Sequence, residues 1–334
     1  MMYTYVLNIT NSPTILGEGA FGKVELVKNE FGEMFAKKTC TQQKYMAQTI
    51  IEARVMQELK GCDTIVQLID TIPNKDDGVD FILELCDGTL LDLLDEYCGG
   101  LDEDIVCDVA RDVANGIAFM RSKGFSHCDL KMENILYKRV TDSISGYRFL
   151  IADFGNAEEG DSLSTFYRIQ TNHYRCSENL LQELDIRTCD MPSLACILYE
   201  SITGEYLINQ VDEEEYESDQ LVDMIHIIGL ETLSSYKIEG KTNMDPYLEN
   251  APNKGSISLP NSILEKSYEI LGYTKRKEMT DLIKKLLLPF PTKRLKADQV
   301  KYHPVIKQID LVEKETKDEQ ISSCNKNLKT KLNF

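Results

Sequence analysis

Residues 125–134 read Phe-Ser-His-Cys-Asp-Leu-Lys-Met-Glu-Asn. An imidazole (His127), a carboxylate (Asp129), an ammonium (Lys131) and a carboxamide (Asn134) follow one another at short intervals, and Ile-Ala-Asp-Phe-Gly at 151–155 then adds Asp153. Taken singly these residues say little. Asp-Phe-Gly arises often by chance, and an isolated His127 reads most simply as a packed core histidine. Their order is what matters, together with what precedes them. Upstream, Ile105, Val109, Val113, Ile117 and Met120 recur at three or four residues, which predicts a long amphipathic helix stopping at Gly124.

Toward the N-terminus the pattern changes. From Ile15 to about Lys38, glycine turns separate short alternating segments, as strands and hairpins do. A helix is expected over roughly Gln43–Lys60, then strand-like runs around Val66–Thr71 and Asp80–Leu85. Strands precede and helices follow, so the fold class is α+β: a small antiparallel β-sheet lobe with one helix, joined to a larger, mainly α-helical lobe. At 334 residues two such lobes are the natural division.

The hairpin segment Leu-Gly-Glu-Gly-Ala-Phe-Gly-Lys-Val-Glu-Leu-Val carries Gly17, Gly19 and Gly22. A dinucleotide-binding fold would need a helix directly after the glycines, but Val24-Glu25-Leu26-Val27 reads as strand. A nucleotide-binding loop of the Walker type nearly fits, since Gly17, Gly22 and Lys23 have its spacing; Val24 then replaces the Ser or Thr that would hold magnesium. A hairpin whose turn lies over ATP phosphates suits the flanking strands. Its glycines let backbone N–H groups approach oxygens with no Cβ in the way. An ordinary glycine-rich hairpin remains the plain alternative.

Phe35-Ala36-Lys37-Lys38 follows. Side chains alternate along a strand, so Ala36 and Lys38 share a face and Lys37 is expected to point to solvent. A nucleotide wants a small residue against its base and an ammonium near its phosphates, which selects Lys38. A lysine held in a cleft wants a carboxylate. In the next helix Glu52, Met56 and Leu59 form the inward stripe, making Glu52 the partner and leaving Glu58 solvated.

Glycine loop, Lys38, Glu52, the 125–134 run and Asp153, in this order, resemble the protein kinase family. That resemblance implies the bilobal kinase fold, transfer of the γ-phosphoryl group of ATP to protein serine or threonine, and a need for Mg2+. Phosphoryl transfer needs mainly alignment and charge neutralisation. In the family's pattern Asp129 accepts or orients the hydroxyl proton, and Lys131, as in serine/threonine kinases, stabilises the γ-phosphate. Asn134 offers a neutral oxygen to one magnesium and Asp153 a charged oxygen to the metals. By the same register Leu16, Val24, Ala36 and Leu136 sandwich the adenine, Leu83 is the gatekeeper, and backbone groups at Glu84, Leu85 and Cys86 bond the base. The lobes would span 12–84 and 89–309, with a hinge at 85–88 and a charged tail at 310–334. Many kinases carry arginine where this chain has Cys128, to meet an activation-loop phosphate. A neutral Cys128 implies activity without that phosphorylation; as a residue it is expected simply to pack. A kinase-shaped scaffold without turnover is the reading that these residues leave as the alternative.

Ile-Gln-Thr-Asn-His-Tyr-Arg175 and Glu178 resemble the substrate-reading segment of the CMGC group. That likeness implies an ion pair between Glu178 and Arg294 and a role for Asp190 in holding the catalytic-loop backbone. Pro192 stands where kinases normally have tryptophan, near a helix start that tolerates it. Asp-Phe-Gly-Asn-Ala157, Ala-Cys-Ile-Leu-Tyr-Glu200, Thr-Gly-Glu-Tyr-Leu207, the acidic stretch around 212–219 and Lys254-Gly-Ser-Ile are most similar to SR-protein kinases. These phosphorylate arginine/serine-rich proteins docked in an acidic groove; a DYRK-like enzyme with another motif is the alternative. The resemblance covers about residues 12–306. Phe154 and Met132 replace that family's leucine and proline, the long spacer between lobes is missing, and Asn172 replaces an arginine beside the substrate pocket.

Composition fits this picture. Asp+Glu number 55 against 37 Lys+Arg, a net charge of −18 that disfavours nucleic-acid backbones and favours basic protein partners while also serving solubility. Ten cysteines form no Cys-x-x-Cys pair and the four histidines are scattered, so reduced thiols in cytoplasm or nucleus are expected rather than zinc. No apolar run suggests a membrane span and the first residues do not read as a secretory signal. A monomer is expected.

Overall fold

Val24, Leu26 and Val27, set among Lys23, Glu25 and Lys28, build the strand Gly22–Asn29 on which the small lobe is organised. In this computed structural model the described residues are 5–7, 14–19, 22–40, 46–73, 79–97, 99–160, 169–180, 187–208, 224, 227 and 273–306. The first strands are β1 (Tyr5–Leu7), β2 (Ile15–Gly19), β3 (Gly22–Asn29) and β4 (Met34–Cys40). Helix α1 (Met46–Glu58) follows, then β5 (Leu68–Pro73) and β6 (Val79–Glu84). The sheet is antiparallel in the order β1-β3-β4-β6-β5, with β2 also paired to β3. The β3–β4 turn closes because Asn29 Oδ1 accepts the N–H groups of Phe31 (3.0 Å) and Glu33 (2.9 Å). Gly32 there takes φ +84, a conformation that glycine adopts without strain.

Helix α1 turns Glu52, Val55 and Met56 inward, with Leu59 just past its end also buried, and leaves Ile50 and Ile51 exposed. It begins at Met46 among the described residues; Gln43, where it was expected to start, lies outside them. The strand expected from Val66 begins two residues later. Ile65 bridges to Ile151 and the Val66 N–H donates to the Ile151 carbonyl at 3.0 Å, so the segment's first residues are held by the large lobe, not by β6.

The lobes connect through Leu85–Asp87. Gly88 is already paired with Tyr137 in β7 (Gly88–Thr89). Then come α2 (Leu90–Tyr97), α3 (Glu103–Ser122), β8 (Phe125–Ser126), β9 (Ile135–Arg139), β10 (Tyr147–Ile151) and β11 (Glu158–Glu159). Among the described residues, helices α4 (Ser177–Leu180), α5 (Asp190–Thr203) and α6 (Tyr273–Leu287) come before the short α7 (Ala297–Val300). The stripe Ile105, Val109, Val113, Ile117 and Met120 of α3 is buried, each such side chain being worth roughly 1.5–3 kcal/mol. The helix ends with the Lys123 N–H bonded back to Phe119 and Met120 carbonyls and with Gly124 at φ +85. Helix α5, buried along its whole length, packs against α3 and α6 and forms the floor under the site. Gly116 lets α3 lie against β10: a Cβ there would meet Ile151 Cδ1 at 2.7 Å. The fold is the bilobal α+β arrangement. The acidic stretch at 212–219, the Lys254–Ile257 segment and the tail at 310–334 lie outside the described residues.

Candidate active site

Register places the upper wall. Pairing of β2 with β3 sets Gly17 opposite Val24 and Gly19 opposite Gly22; a Cβ on Gly17 would meet nothing within 4 Å, so the space beside the loop is open. On β4, Ala36 stands opposite Leu83 of β6, and Lys38 opposite Val24 of β3. Leu16 is 47% exposed, while Val24, Leu83 and Leu136 are half-buried and Ala36 is buried. These apolar groups are still available to a flat ligand. In the connection, the Glu84 N–H is already spent on the Gln67 carbonyl (3.1 Å) and the Glu84 carboxylate takes the Gln67 N–H (2.6 Å) and the Lys138 ammonium. Among the described residues, no backbone hydrogen bond outside the strands engages Leu85 or Cys86, whose polar groups are open to a base. Burial pushes the Cys86 thiol up to about 12, so it is not a thiolate.

Lys38 is the hub. Its ammonium donates to Glu52 Oε1 and to Asp153 Oδ1, both at 2.7 Å. Burial works against its charge, but the two carboxylates outweigh it and hold the ammonium above the usual lysine range. Burial would raise Asp153, yet Lys38 overrides this and keeps that carboxyl below its ordinary value, hence ionised. For Glu52 burial prevails and pushes the carboxyl up against the pull of Lys38. Three separate elements are thereby drawn together: β4, α1 and the Asp-Phe-Gly segment.

Lys37, expected to face solvent, does not. Its ammonium lies 3.5 Å from Glu25 and 3.3 Å from Asp80, with only 20% of the side chain exposed. The pairing of Glu25 with Lys37 across β3 and β4, and the adjacent β6, gather these charges on the back of the sheet.

In the lower wall, the Asp190 carboxylate at the start of α5 accepts the His127 and Cys128 N–H groups, each at 2.9 Å. The Asp129 N–H donates to His127 Nδ1 (3.2 Å), so His127 Nε2 carries the proton and donates to the Ala152 carbonyl (2.9 Å). His127 is therefore buried structure, stacked edge-on against Phe154 with ring centres 5.5 Å apart. Asp129 Oδ1 accepts from the Thr171 hydroxyl (2.7 Å) and N–H (3.0 Å), and Oδ2 from the Asn156 amide (3.2 Å). Lys131, half-buried two residues on, makes no ion pair among the described residues. Asn134 donates its amide nitrogen to the Asp129 carbonyl (2.8 Å), leaving its oxygen as the atom for a cation. With the Asp153 carboxylate this is a hard, all-oxygen donor pair, which suits magnesium.

Thr171 and Asn156 escaped the sequence reading. Both sit in segments quoted there for family likeness, but nothing in a threonine or asparagine announces that it will clamp a carboxylate from another loop. Cys128, Asp153 and Gln170 all take φ between 64 and 71, a conformation rare outside glycine. The strain is concentrated in the segments that carry or adjoin Asp129 and Asp153. Gln170 is over-determined: its side chain bonds the Cys189 carbonyl, the Ser193 hydroxyl and the Cys176 N–H. Below it Arg294 grips Glu178 through two bonds, and Asn172 accepts from Arg175 at 2.7 Å. Cys128 packs with Cys176 and Cys189, all wholly buried free thiols.

Comparison with known proteins agrees with this geometry. The protein kinase domain matches residues 11–306. The chain is 30% identical over 311 residues to the serine/threonine-protein kinase PKZ1 of Phytophthora infestans, covering 86% of this chain and 68% of that protein. It is 25% identical to the probable serine/threonine-protein kinase glkA of Dictyostelium discoideum (91% and 60% covered). It is 27% identical to the dual specificity protein kinase lkh1 of Schizosaccharomyces pombe (88% and 46% covered). The chain belongs to the protein kinase domain family, as a serine/threonine kinase that uses ATP with Mg2+.

Proposed function

We propose that this kinase phosphorylates serines in basic, arginine/serine-rich protein segments, in the manner of SR-protein kinases within the CMGC group, in the cytoplasm or nucleus. The observation that carries the substrate class is Glu133. It lies one turn beyond Asp129, exposed and without a hydrogen bond or ion pair among the described residues. Its negative field acts on Glu200, whose carboxyl burial and then Glu133 push up to about 7 even though the Tyr174 hydroxyl donates to it at 2.5 Å. A cationic side chain flanking the target hydroxyl would meet the exposed Glu133 carboxylate, and the net charge of −18 draws basic segments from a distance.

In this reading Asp129 receives or orients the hydroxyl proton, its two oxygens already aimed by Thr171 and Asn156. Lys131 meets the γ-phosphate, and Lys38, held by Glu52, meets the remaining phosphates. The base lies between Leu16, Val24, Ala36 and Leu136, with Leu83 behind it and Glu84, Leu85 and Cys86 along its edge. Asn134 and Asp153 hold magnesium, which when bound neutralises charge on the β- and γ-phosphates. Cys128 supports activity independent of activation-loop phosphorylation, because an apolar thiol cluster occupies the place of a cation awaiting a phosphate.

The test is transfer of labelled phosphate from Mg-ATP to an arginine/serine-repeat peptide, beside an acidic peptide and the Asp153→Ala variant. Label on the repeat peptide that disappears with Asp153→Ala supports the reading. Label on the acidic peptide alone overturns the basic-substrate assignment. Because one relative bears the name dual specificity kinase, a tyrosine-containing basic peptide is the third arm, and label there would extend the acceptor class.

A further inference from the structure

Helix α1 meets the large lobe in two different ways. Just past its C-terminal end the backbone does the work: Ile151 donates its N–H to the Thr64 carbonyl (2.9 Å) and accepts the Val66 N–H (3.0 Å). Arg148 adds an ion pair with Asp63 at 2.6 Å. Within the helix a side chain reaches across instead. Arg54 Nη2 donates to both carboxylate oxygens of Glu159, at 3.0 and 2.8 Å. We propose that the Arg54–Glu159 pair is a latch that keeps α1 in its catalytic position, which makes Arg54 a positioning residue for phosphoryl transfer and the rate sensitive to ionic strength.

Glu159 is a firm anchor. It lies on β11 opposite Phe125 of β8, and the next N–H, that of Gly160, donates to the Gly124 carbonyl at 2.8 Å. Strand β8 runs directly into the loop that carries Asp129. Arg54 in turn is two residues from Glu52, whose carboxylate holds the Lys38 ammonium at 2.7 Å. A helix tied by backbone at its C-terminal end moves mainly by swinging about that end, and such a swing carries Glu52 and Arg54 together. Holding Arg54 on β11 therefore holds Glu52 at Lys38, so the helix and the catalytic loop are set against one another. Arg54 acts through Glu52 and not on the reacting atoms. Its side chain is 62% exposed and that of Glu159 is 54% exposed, so water and salt weaken the pair. The expected effect is a few-fold adjustment of rate, not its loss.

The experiment measures phosphate transfer by the full chain from Mg-ATP to a peptide library randomised around a fixed serine or threonine. Arg54→Glu and Glu159→Arg are each expected to lower the rate at saturating ATP about fivefold, with KM for ATP staying within about twofold. The double swap Arg54→Glu/Glu159→Arg is expected to return the rate to within about twofold of the parent. Lys60→Glu, a charge reversal on the exposed turn after α1, is expected to change nothing. At about 1 M salt, where charges are screened beyond about 3 Å, the gap between parent and single reversals should close. Melting curves identify a reversal that has not folded, and Arg54→Gln then serves instead, with a loss of about threefold. Single reversals as fast as the parent, a swap as slow as the singles, a gap that salt leaves intact, or a loss confined to KM for ATP overturns the proposal. The library offers every flanking sequence, so none of these outcomes depends on which protein the kinase phosphorylates.

Discussion

Arg294 donates to both carboxylate oxygens of Glu178, at 2.6 and 2.7 Å, with both side chains almost wholly buried. The pair joins the substrate-side segment to the loop before α7, across 116 residues of chain. Deleting one partner strands the other charge in the interior. Glu178→Ala or Arg294→Ala is therefore expected to cost about 3–5 kcal/mol of unfolding free energy, read by denaturant titration. Burial alone would raise the Glu178 carboxyl, but Arg294 holds it below its ordinary 4.5. A depressed carboxylate contributes stability that is present above that ordinary value and lost as pH falls through the folded one. Unfolding free energy should thus drop in acid below about pH 4.5, with a shallower slope in Glu178→Gln.

Gly116 is a packing glycine. An added methyl would sit 2.7 Å from Ile151 Cδ1 and 3.1 Å from the Thr64 carbonyl oxygen. Helix propensity favours alanine by about 1 kcal/mol, while overpacking costs about 1–3 kcal/mol. The backbone oxygen resists movement, so Gly116→Ala should lower stability despite its better propensity. Adding Ile151→Val should recover part of the loss; a stabilised single variant would show that α3 has room to shift.

Glu52 orients Lys38 and touches no reacting atom, so it is a positioning residue. Glu52→Gln keeps the shape and removes the charge that holds the ammonium. Steady-state assays are expected to show kcat/KM reduced about 10²-fold. The variant should keep its fold by circular dichroism. Asp129→Asn should lose about 10²–10⁴-fold in kcat, with ATP affinity retained.

Cys128 is wholly buried against Cys176 and Cys189, its sulfur 3.8 Å from that of Cys189. Burial pushes the Cys176 thiol well up, and the hydrogen bond shared with Cys128, then burial, does the same at Cys189; no thiolate is stable in this cluster. Phosphatase-treated enzyme should retain full activity. Cys128→Arg should destabilise the fold by several kcal/mol, because the guanidinium would enter an apolar pocket with no phosphate to meet it. Activity lost on phosphatase treatment would contradict the apolar-cluster account.

Local pattern carried much of this molecule. The 3.6-residue recurrence before Gly124 marked α3, and alternation along β4 separated Ala36 and Lys38 from Lys37, because helix and strand periodicity are properties of a few consecutive backbone units. Inward spacing on α1 picked Glu52 over Glu58 for the same reason. Where alternation was pressed further, to the environment of Lys37, it failed. A face of a strand is known from the chain; what covers that face is not. Glu25 and Asp80 arrive from β3 and β6, and only sheet register brings them there.

The order of His127, Asp129, Lys131, Asn134 and Asp153 was enough to place the chain among protein kinases, since residues that must meet phosphate and metal are tied to short loops of set length. Folding settled everything that depends on distant segments meeting. Thr171 and Asn156 reach Asp129 from two other loops, and Asp190 holds a loop 62 residues away in sequence. Helix α5 finds α3 on one side and α6 on the other only once the whole lobe has closed. Backbone geometry is local and is written residue by residue. Packing partners and voids come from the whole arrangement of the chain, and no stretch of it encodes them alone.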